Sequence, residues 1–276
     1  MLTRTELDVF LRETYRYADF QDYCHNGLQI EGKEQIHKIV FAVSFHMPLL
    51  TQAIAVQADA IIVHHGIFGK NFFRVTGSLK KKVRALLSHD MSLFGIHLPM
   101  DAHKRLGNNA QLASYLGAEI FDVFDIGFFV RNTEGYTFSE MIDIFHRKLY
   151  STVSGSLSAT ASAASLTSPN SLLHPRLIHG FLCYPYGPER PERIAIVSGG
   201  SSRLFRLEEL LDMQGIDTFI CGSVDESTAA AAYESRRNFL NIGHYWSEKA
   251  GPLALKAEIE EQFDVETQFI DVENII

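Results

Sequence analysis

Nine residues constrain this chain more than any others: Ala58-Asp59-Ala60-Ile61-Ile62-Val63-His64-His65-Gly66. An unbroken run of small and β-branched apolar residues specifies a strand covered on both faces. The run ends in two imidazoles and a glycine. Open α/β sheets place their ligand sites at the carboxyl ends of strands. Successive side chains on a strand point to opposite faces. For both rings to reach one site the chain must leave the sheet here, and Gly66 permits that turn. His64 and His65 are therefore candidate metal ligands.

The rest of the chain alternates strand and helix around this run. Strands are predicted at 38–44, 60–63 and 91–96, with helices at 3–17, 48–57 and 79–89. Thr3, with Glu6 three residues on, starts the first helix as a capping box. A second series follows, with strands at 193–198, 217–221 and 239–242, helices at 204–213, 228–235 and 252–262, and a last strand at 265–272. A strand pair around 121–130 and a helix over 139–149 lie between the two series. This alternation predicts an α/β fold of two related lobes with mostly parallel sheets. The expected division is 1–128 and 129–276. The segment 151–173, almost wholly Ser, Ala, Thr and Leu, falls in the second lobe and reads as a mobile surface stretch.

The two series also match locally. Ala-Asp-Ala-Ile-Ile at 58–62 parallels Ile-Asp-Thr-Phe-Ile at 216–220, and the third strands lead into His97-x-x-x-Asp101 and His244-x-x-x-Glu248. Each pair sets an imidazole four residues before a carboxylate. The repeat predicts one site served by both halves, in the cleft between the lobes.

Composition narrows the class. With 276 residues, the chain is long enough for a sizeable core without staples. A net charge of −8 argues against a nucleic-acid surface spread over the protein. Three distant cysteines (Cys24, Cys183, Cys221) without a CxxC pair point to a reducing compartment. Neither a signal peptide nor a bilayer-length apolar run is visible, so a cytoplasmic protein without membrane contact is expected.

Four imidazoles (His64, His65, His97, His244) and two carboxylates (Asp101, Glu248) exceed what one tetrahedral zinc takes. They suit two divalent ions bridged by a carboxylate or water. Without thiolate, the set fits zinc, iron, manganese, cobalt or nickel. Such a pair activates water, which points to a hydrolase. A catalyst also needs a substrate cradle and a proton-transfer group, and Asn26, Gln29, His103, Asn108 and Asn109 are the candidates. No residue is assigned a catalytic role, and no P-loop or dinucleotide fingerprint is present. A metal-binding protein without turnover, a scaffold or metallochaperone, would tolerate loss of those polar groups. His25, in the Asn-Gly loop, is a further candidate to face the site, and His37, His46, His89, His146, His174 and His179 carry no motif.

His-Asn-Gly-Leu-Gln-Ile-Glu-Gly (25–32), Val-His-His-Gly (63–66), Gly-Ile-His-Leu-Pro-Met-Asp-Ala-His (95–103), Gly-Asn-Asn-Ala-Gln-Leu-Ala (107–113) and Gly-His-Tyr-x-Ser-Glu (243–248) resemble the GTP cyclohydrolase I type 2 homologues, the Nif-three-like family, in its short bacterial form. The resemblance implies two α/β lobes, a dinuclear metal site and a toroidal homohexamer. It puts metal ligands on His64, His65, Asp101, His244 and Glu248, with His97 a neighbour or additional ligand. It implies opening of the guanine ring of GTP or action on a related small molecule. Ser223 stands where the family often has Glu.

Overall fold

A computed structural model of the chain describes residues 2–70, 74–150, 175–272 and 274. The Ser/Ala/Thr-rich stretch 151–173 lies outside them. The chain forms two compact units: Met1–Gly107 with Gly251–Asn274, and Asn108–Ala250 with Ile275–Ile276.

The first unit begins with β1 (Leu2–Thr3) and α1 (Arg4–Tyr15). Thr3 Oγ1 accepts the Glu6 N–H while the Glu6 side chain accepts the Thr3 N–H, the capping box the sequence predicts. Next come β2 (Gly27–Ile30), β3 (Gln35–Ile36), β4 (Lys38–Ser44), α2 (Met47–Ala55), β5 (Ala60–His65), α3 (Gly77–Ser88), β6 (Ser92–Gly95) and α4 (Leu98–Ala102). In the second unit follow α5 (Asn108–Tyr115), β7 (Glu119–Phe124), β8 (Gly127–Arg131), α6 (Phe138–Tyr150), β9 (Arg176–Ile178), β10 (Phe181–Pro185), β11 (Arg193–Val197), α7 (Glu208–Met213), β12 (Thr218–Cys221), α8 (Thr228–Ser235), β13 (Asn238–Asn241) and α9 (His244–Ser247). Finally α10 (Ala250–Gln262) carries the chain back to the first unit, where it ends in β14 (Glu266–Phe269).

The first unit's five-stranded sheet runs β14-β4-β5-β6-β2. All its pairs are parallel except β2–β6. The central strand β5 is buried on both faces, as its composition requires. Ala60 and Ile62 pack with Leu7, Leu11, Leu255 and Ile259 of α1 and α10. Ile61 and Val63 pack with Leu49, Leu50, Ala53 and Leu86 of α2 and α3. Each buried Leu, Ile or Val among them contributes about 1.5–3 kcal/mol.

The second unit's seven-stranded sheet runs β7-β8-β11-β12-β13-β10-β9. Only β11-β12-β13 is parallel, and the flanking strands pair antiparallel. Both parallel triplets run in sequence order with helical crossovers, so the expected repeat is present. The fold is mixed α/β, its parallel centres extended by antiparallel edges. The units divide differently from 1–128 and 129–276 because β8 pairs with β11 and β14 pairs with β4.

The repeat extends to hydrogen bonds. Asp59 Oδ2 accepts from the His37 N–H (2.6 Å) and the Lys38 N–H (3.0 Å). Asp217 Oδ2 accepts from the Glu192 N–H (2.7 Å) and the Arg193 N–H (3.2 Å). Each aspartate at the start of the second strand thus ties down the chain entering the first.

Candidate metal centre

Both histidines of the founding motif end β5. His64 is fully buried, with Nδ1 2.9 Å from the Ile96 carbonyl oxygen. That carbonyl accepts the Nδ1 proton, which makes Nε2, 3.6 Å from Asp101 Oδ2, the nitrogen able to take a metal. His65 holds Nδ1 2.9 Å from Ser44 Oγ. Outer hydrogen bonds of this kind orient metal-binding imidazoles. The strand stays paired through His65, opposite Ser44. The two rings nevertheless lie 4.5 Å apart between centroids, tilted by 50°. Asp101 sits in the short helix α4, which has Pro99 in its first turn, and is 3% exposed.

His97 caps α4. One ring nitrogen each from His64, His65 and His97 lies within 4.8 Å of the others. Its neighbours set His97 apart. Nδ1 is 2.9 Å from Asp22 Oδ1 and 3.2 Å from Asp22 Oδ2. Its backbone N–H donates to Asn26 Oδ1 at 2.7 Å. Nε2 is 3.3 Å from the Tyr23 hydroxyl. Burial alone would lower its pKa, but hydrogen bonding to the Asp22 carboxylate raises it to about 10. Burial likewise opposes charge on Asp22, yet hydrogen bonds from His97, the Cys24 N–H and the Asn26 amide hold that carboxyl far below the usual range.

The sequence marks Asp22 only as one polar residue of the 22–32 loop and does not single it out. Asp22 also accepts the Leu98 N–H at 3.0 Å. Cys24, Asp22 and His97 each offer a donor atom within 4.8 Å of the others, but the Asp22 oxygens are already taken up by these contacts. The carboxylate is a hydrogen-bond hub for the 22–29 loop. Only the Asp-Tyr-x-x-Asn-Gly turn chemistry hinted at it.

Four of the five expected cradle groups have polar atoms bound to loop, backbone or neighbouring side-chain partners. Gln29 Oε1 accepts from the Ile67 N–H (2.8 Å) and the Phe68 N–H (3.3 Å), and its Nε2 donates to the His25 carbonyl (2.6 Å). A Cβ on Gly66 would meet that amide at 2.3 Å, so the glycine after the histidine pair is there for close packing. His103 Nδ1 accepts from the Arg105 N–H (3.2 Å) and the Leu106 N–H (2.9 Å). Asn109 Oδ1 accepts from the Ser198 N–H (2.6 Å), and its Nδ2 donates to the Ile126 carbonyl (2.8 Å). Asn26 holds Asp22 and His97.

In the second unit, His244 opens α9 and Glu248 follows its last turn. His244 Nε2 is 3.0 Å from Glu248 Oε1, and Glu248 is 3% exposed. Ser247 Oγ accepts the Gly199 N–H (2.9 Å) and donates to the His244 carbonyl (2.9 Å), which fixes the motif to the turn after β11.

The two His/carboxylate motifs are not in register. Ile96 N–H donates to the Val63 carbonyl, and Ile242 N–H to the Cys221 carbonyl, both at 2.9 Å. Counting from these equivalent residues, Leu98 rather than His97 corresponds to His244. Likewise Gly222-Ser223 occupies the place of His64-His65. Ser223 Oγ accepts the Ser202 N–H at 3.1 Å, a loop contact.

The donor set fits divalent ions: His64 and His65 have Nδ1 fixed by an outside group, a buried carboxylate lies beside His64 Nε2, and another lies beside His244 Nε2. All three cysteines are free thiols, Cys183 and Cys221 buried. Among the described residues no helix is long and apolar enough to cross a membrane.

In the metal-free protein the Asp22–His97 pair has a predictable pH signature. His97's contribution is complete below its ordinary 6.5 and is lost as pH rises through about 10. Asp22's contribution is present above 3.8 and is lost as pH falls through its lowered value. Asp22→Asn leaves a buried imidazole without its counter-charge. It should cost about 3–5 kcal/mol in urea unfolding at neutral pH, with the deficit shrinking above the His97 transition. An equal deficit at every pH would show that the charge pair is not its source.

Fold and side chains together define an α/β protein built on a repeated parallel triplet, with a buried histidine–carboxylate cluster at a strand end. The chain belongs to the Duf34/NIF3 (NGG1p interacting factor 3) family, whose model matches residues 2–275. It is 34% identical to the "GTP cyclohydrolase 1 type 2 homolog" of Yersinia pestis over 99% of each chain. The Escherichia coli K12 protein of the same description is also 34% identical, over 99% of each chain. Among solved structures, the protein ybgI, described as of unknown function, superposes with TM-score 0.82 at 32% identity, covering 99% of this chain and 100% of that one. A Thermus thermophilus protein gives TM-score 0.78 at 28% identity over 99% of each chain.

Proposed function

We propose that the protein binds two divalent ions per chain through His64, His65, Asp101, His244 and Glu248, with His97 beside them, and that it is a metal-dependent hydrolase of a nucleotide or related small molecule. The observation that carries this is the β5 terminus, where two adjacent imidazoles have Nδ1 anchored and a buried carboxylate faces His64 Nε2. Imidazole and carboxylate without thiolate suit zinc, iron, manganese, cobalt or nickel. A metal pair supplies activated water near neutral pH and stabilises negative charge on a carbonyl or phosphoryl oxygen. Ile96 O and Ser44 Oγ hold the two rings, and Asp22 holds His97 with its Nε2 beside the Tyr23 hydroxyl. The relatives' description as GTP cyclohydrolase homologues supports a nucleotide. A toroidal homohexamer in the cytoplasm belongs to the same reading and is checked by sedimentation.

The second reading is a metal-binding scaffold or metallochaperone without turnover. It gains support from Asn26, Gln29, His103 and Asn109, whose polar atoms bind loop and backbone groups. Elemental analysis after reconstitution should find two ions per chain, and a nucleotide panel tested on that preparation separates the readings. A ceiling of one ion would overturn the dinuclear centre. Two ions with no turnover on any nucleotide would favour the scaffold.

A further inference from the structure

We propose that Tyr23 is the ligand-facing residue of this centre, and that its hydroxyl, with the His97 ring, receives a phosphate-class oxyanion beside His64 and His65. The proposal rests on the metal reading above. Its first support is the exposure of Tyr23. The residue is 60% exposed, although its main chain is firmly held. The Tyr23 carbonyl accepts the Lys70 N–H at 2.8 Å, and Cys24 next to it bridges Gly69. The ring is thus held in one place while much of its surface stays within reach of a ligand.

Its second support is aim. The ring stands edge-on to His97, 4.8 Å between centroids at 68°, with the hydroxyl 3.3 Å from Nε2. His97 in turn lies 5.0 Å from the His64 ring and 5.5 Å from the His65 ring. Asp22 and Asn26 fix His97, so the phenol is positioned against a rigid frame.

The third support is the character of the neighbourhood. Phenol and imidazole can both donate, and bound cations add positive charge. The nearby Asp22 carboxylate already accepts from His97, Cys24, Asn26 and Leu98. These donors, together with the positive charge that divalent ions would supply when bound, suit an anionic oxygen ligand.

The test uses the full-length protein loaded with cobalt(II), its cobalt content measured first. Inorganic phosphate is then titrated against the visible cobalt spectrum. In the unsubstituted protein the spectrum should change saturably. Tyr23→Phe should take up the same cobalt yet need roughly tenfold more phosphate or beyond, because one hydrogen bond to a charged group is lost. Tyr23→Ala should weaken binding at least as much. A Tyr23→Phe titration that overlays the unsubstituted protein overturns the proposal, and so does a spectrum that phosphate leaves unchanged. If cobalt is not taken up at all, the metal reading fails before phosphate is added, and the proposal falls with it.

Discussion

Glu248→Gln should lower the metal content of the purified protein and abolish the rise in melting temperature that added metal produces. The substitution keeps the side chain's volume and removes its charge. Glu248 is almost fully buried, with Oε1 3.0 Å from His244 Nε2, so the loss should be felt at the ligand set rather than at the surface. Asp101→Asn, in the other unit and 3.6 Å from His64 Nε2, should have the same effect. A ligand that binds only the folded state stabilises it by mass action, at about 2.7 kcal/mol when present at a hundredfold its Kd. If one metal pair draws on both units, either substitution removes most of that gain. The double variant should then lose little more than each single one, since ligands of one ion are not additive. Calorimetry with and without metal, beside elemental analysis, reads all three proteins. A Glu248→Gln protein that keeps two ions at unchanged affinity would show that the second unit supplies no ligand.

What the sequence could reveal depended on how local the signal was. The strand over 38–44 and the helix over 228–235 are found at those residues because a β-rich apolar run and an alanine-rich stretch are each written within one segment. The repeat was legible for the same reason: Asp59 and Asp217 sit in matching five-residue strings and make matching hydrogen bonds. Pairing direction was not legible. β2 reads as part of a polar turn, and only its long-range pairing with β6 makes it a strand. The edge strands β9 and β10 were missed likewise, since their partners lie far along the chain or in each other.

The candidate site divides along the same line. His64 and His65 were visible because adjacency at a strand end is a local fact. Asp22 was not, because its partner His97 is 75 residues away. The matching spacing of His97-x-x-x-Asp101 and His244-x-x-x-Glu248 suggested equivalent imidazoles, yet the strand register offsets them by one residue. Spacing within a motif survives such an offset, and only the backbone pairing exposes it. His97 is accordingly held by a carboxylate at the cap of α4, whereas His244 follows Gly243, whose φ is +86°.

Gly199→Ala should weaken metal binding by roughly 10- to 100-fold without replacing any of the proposed ligands. Gly199 has φ +66°, where an L side chain is strained. A Cβ built there would lie 2.2 Å from Glu248 Oε1 and 3.4 Å from His244 Nε2. Glu248 has little room to retreat, being buried beside His244. The alanine must therefore push the carboxylate aside or shift the turn that Ser247 anchors through the Gly199 N–H. Backbone strain of this kind costs on the order of 1–3 kcal/mol in stability, measured by urea unfolding of the metal-free protein. Gly200→Ala is the matched control. Its Cβ would meet His244 Cε1 at 3.5 Å, an ordinary contact, and its φ is not in the left-handed region. It should bind metal as the unsubstituted protein does. Isothermal titration with one divalent metal compares the pair. Should Gly199→Ala bind as tightly as Gly200→Ala, the close approach of Glu248 to the glycine turn does not set the position of that carboxylate.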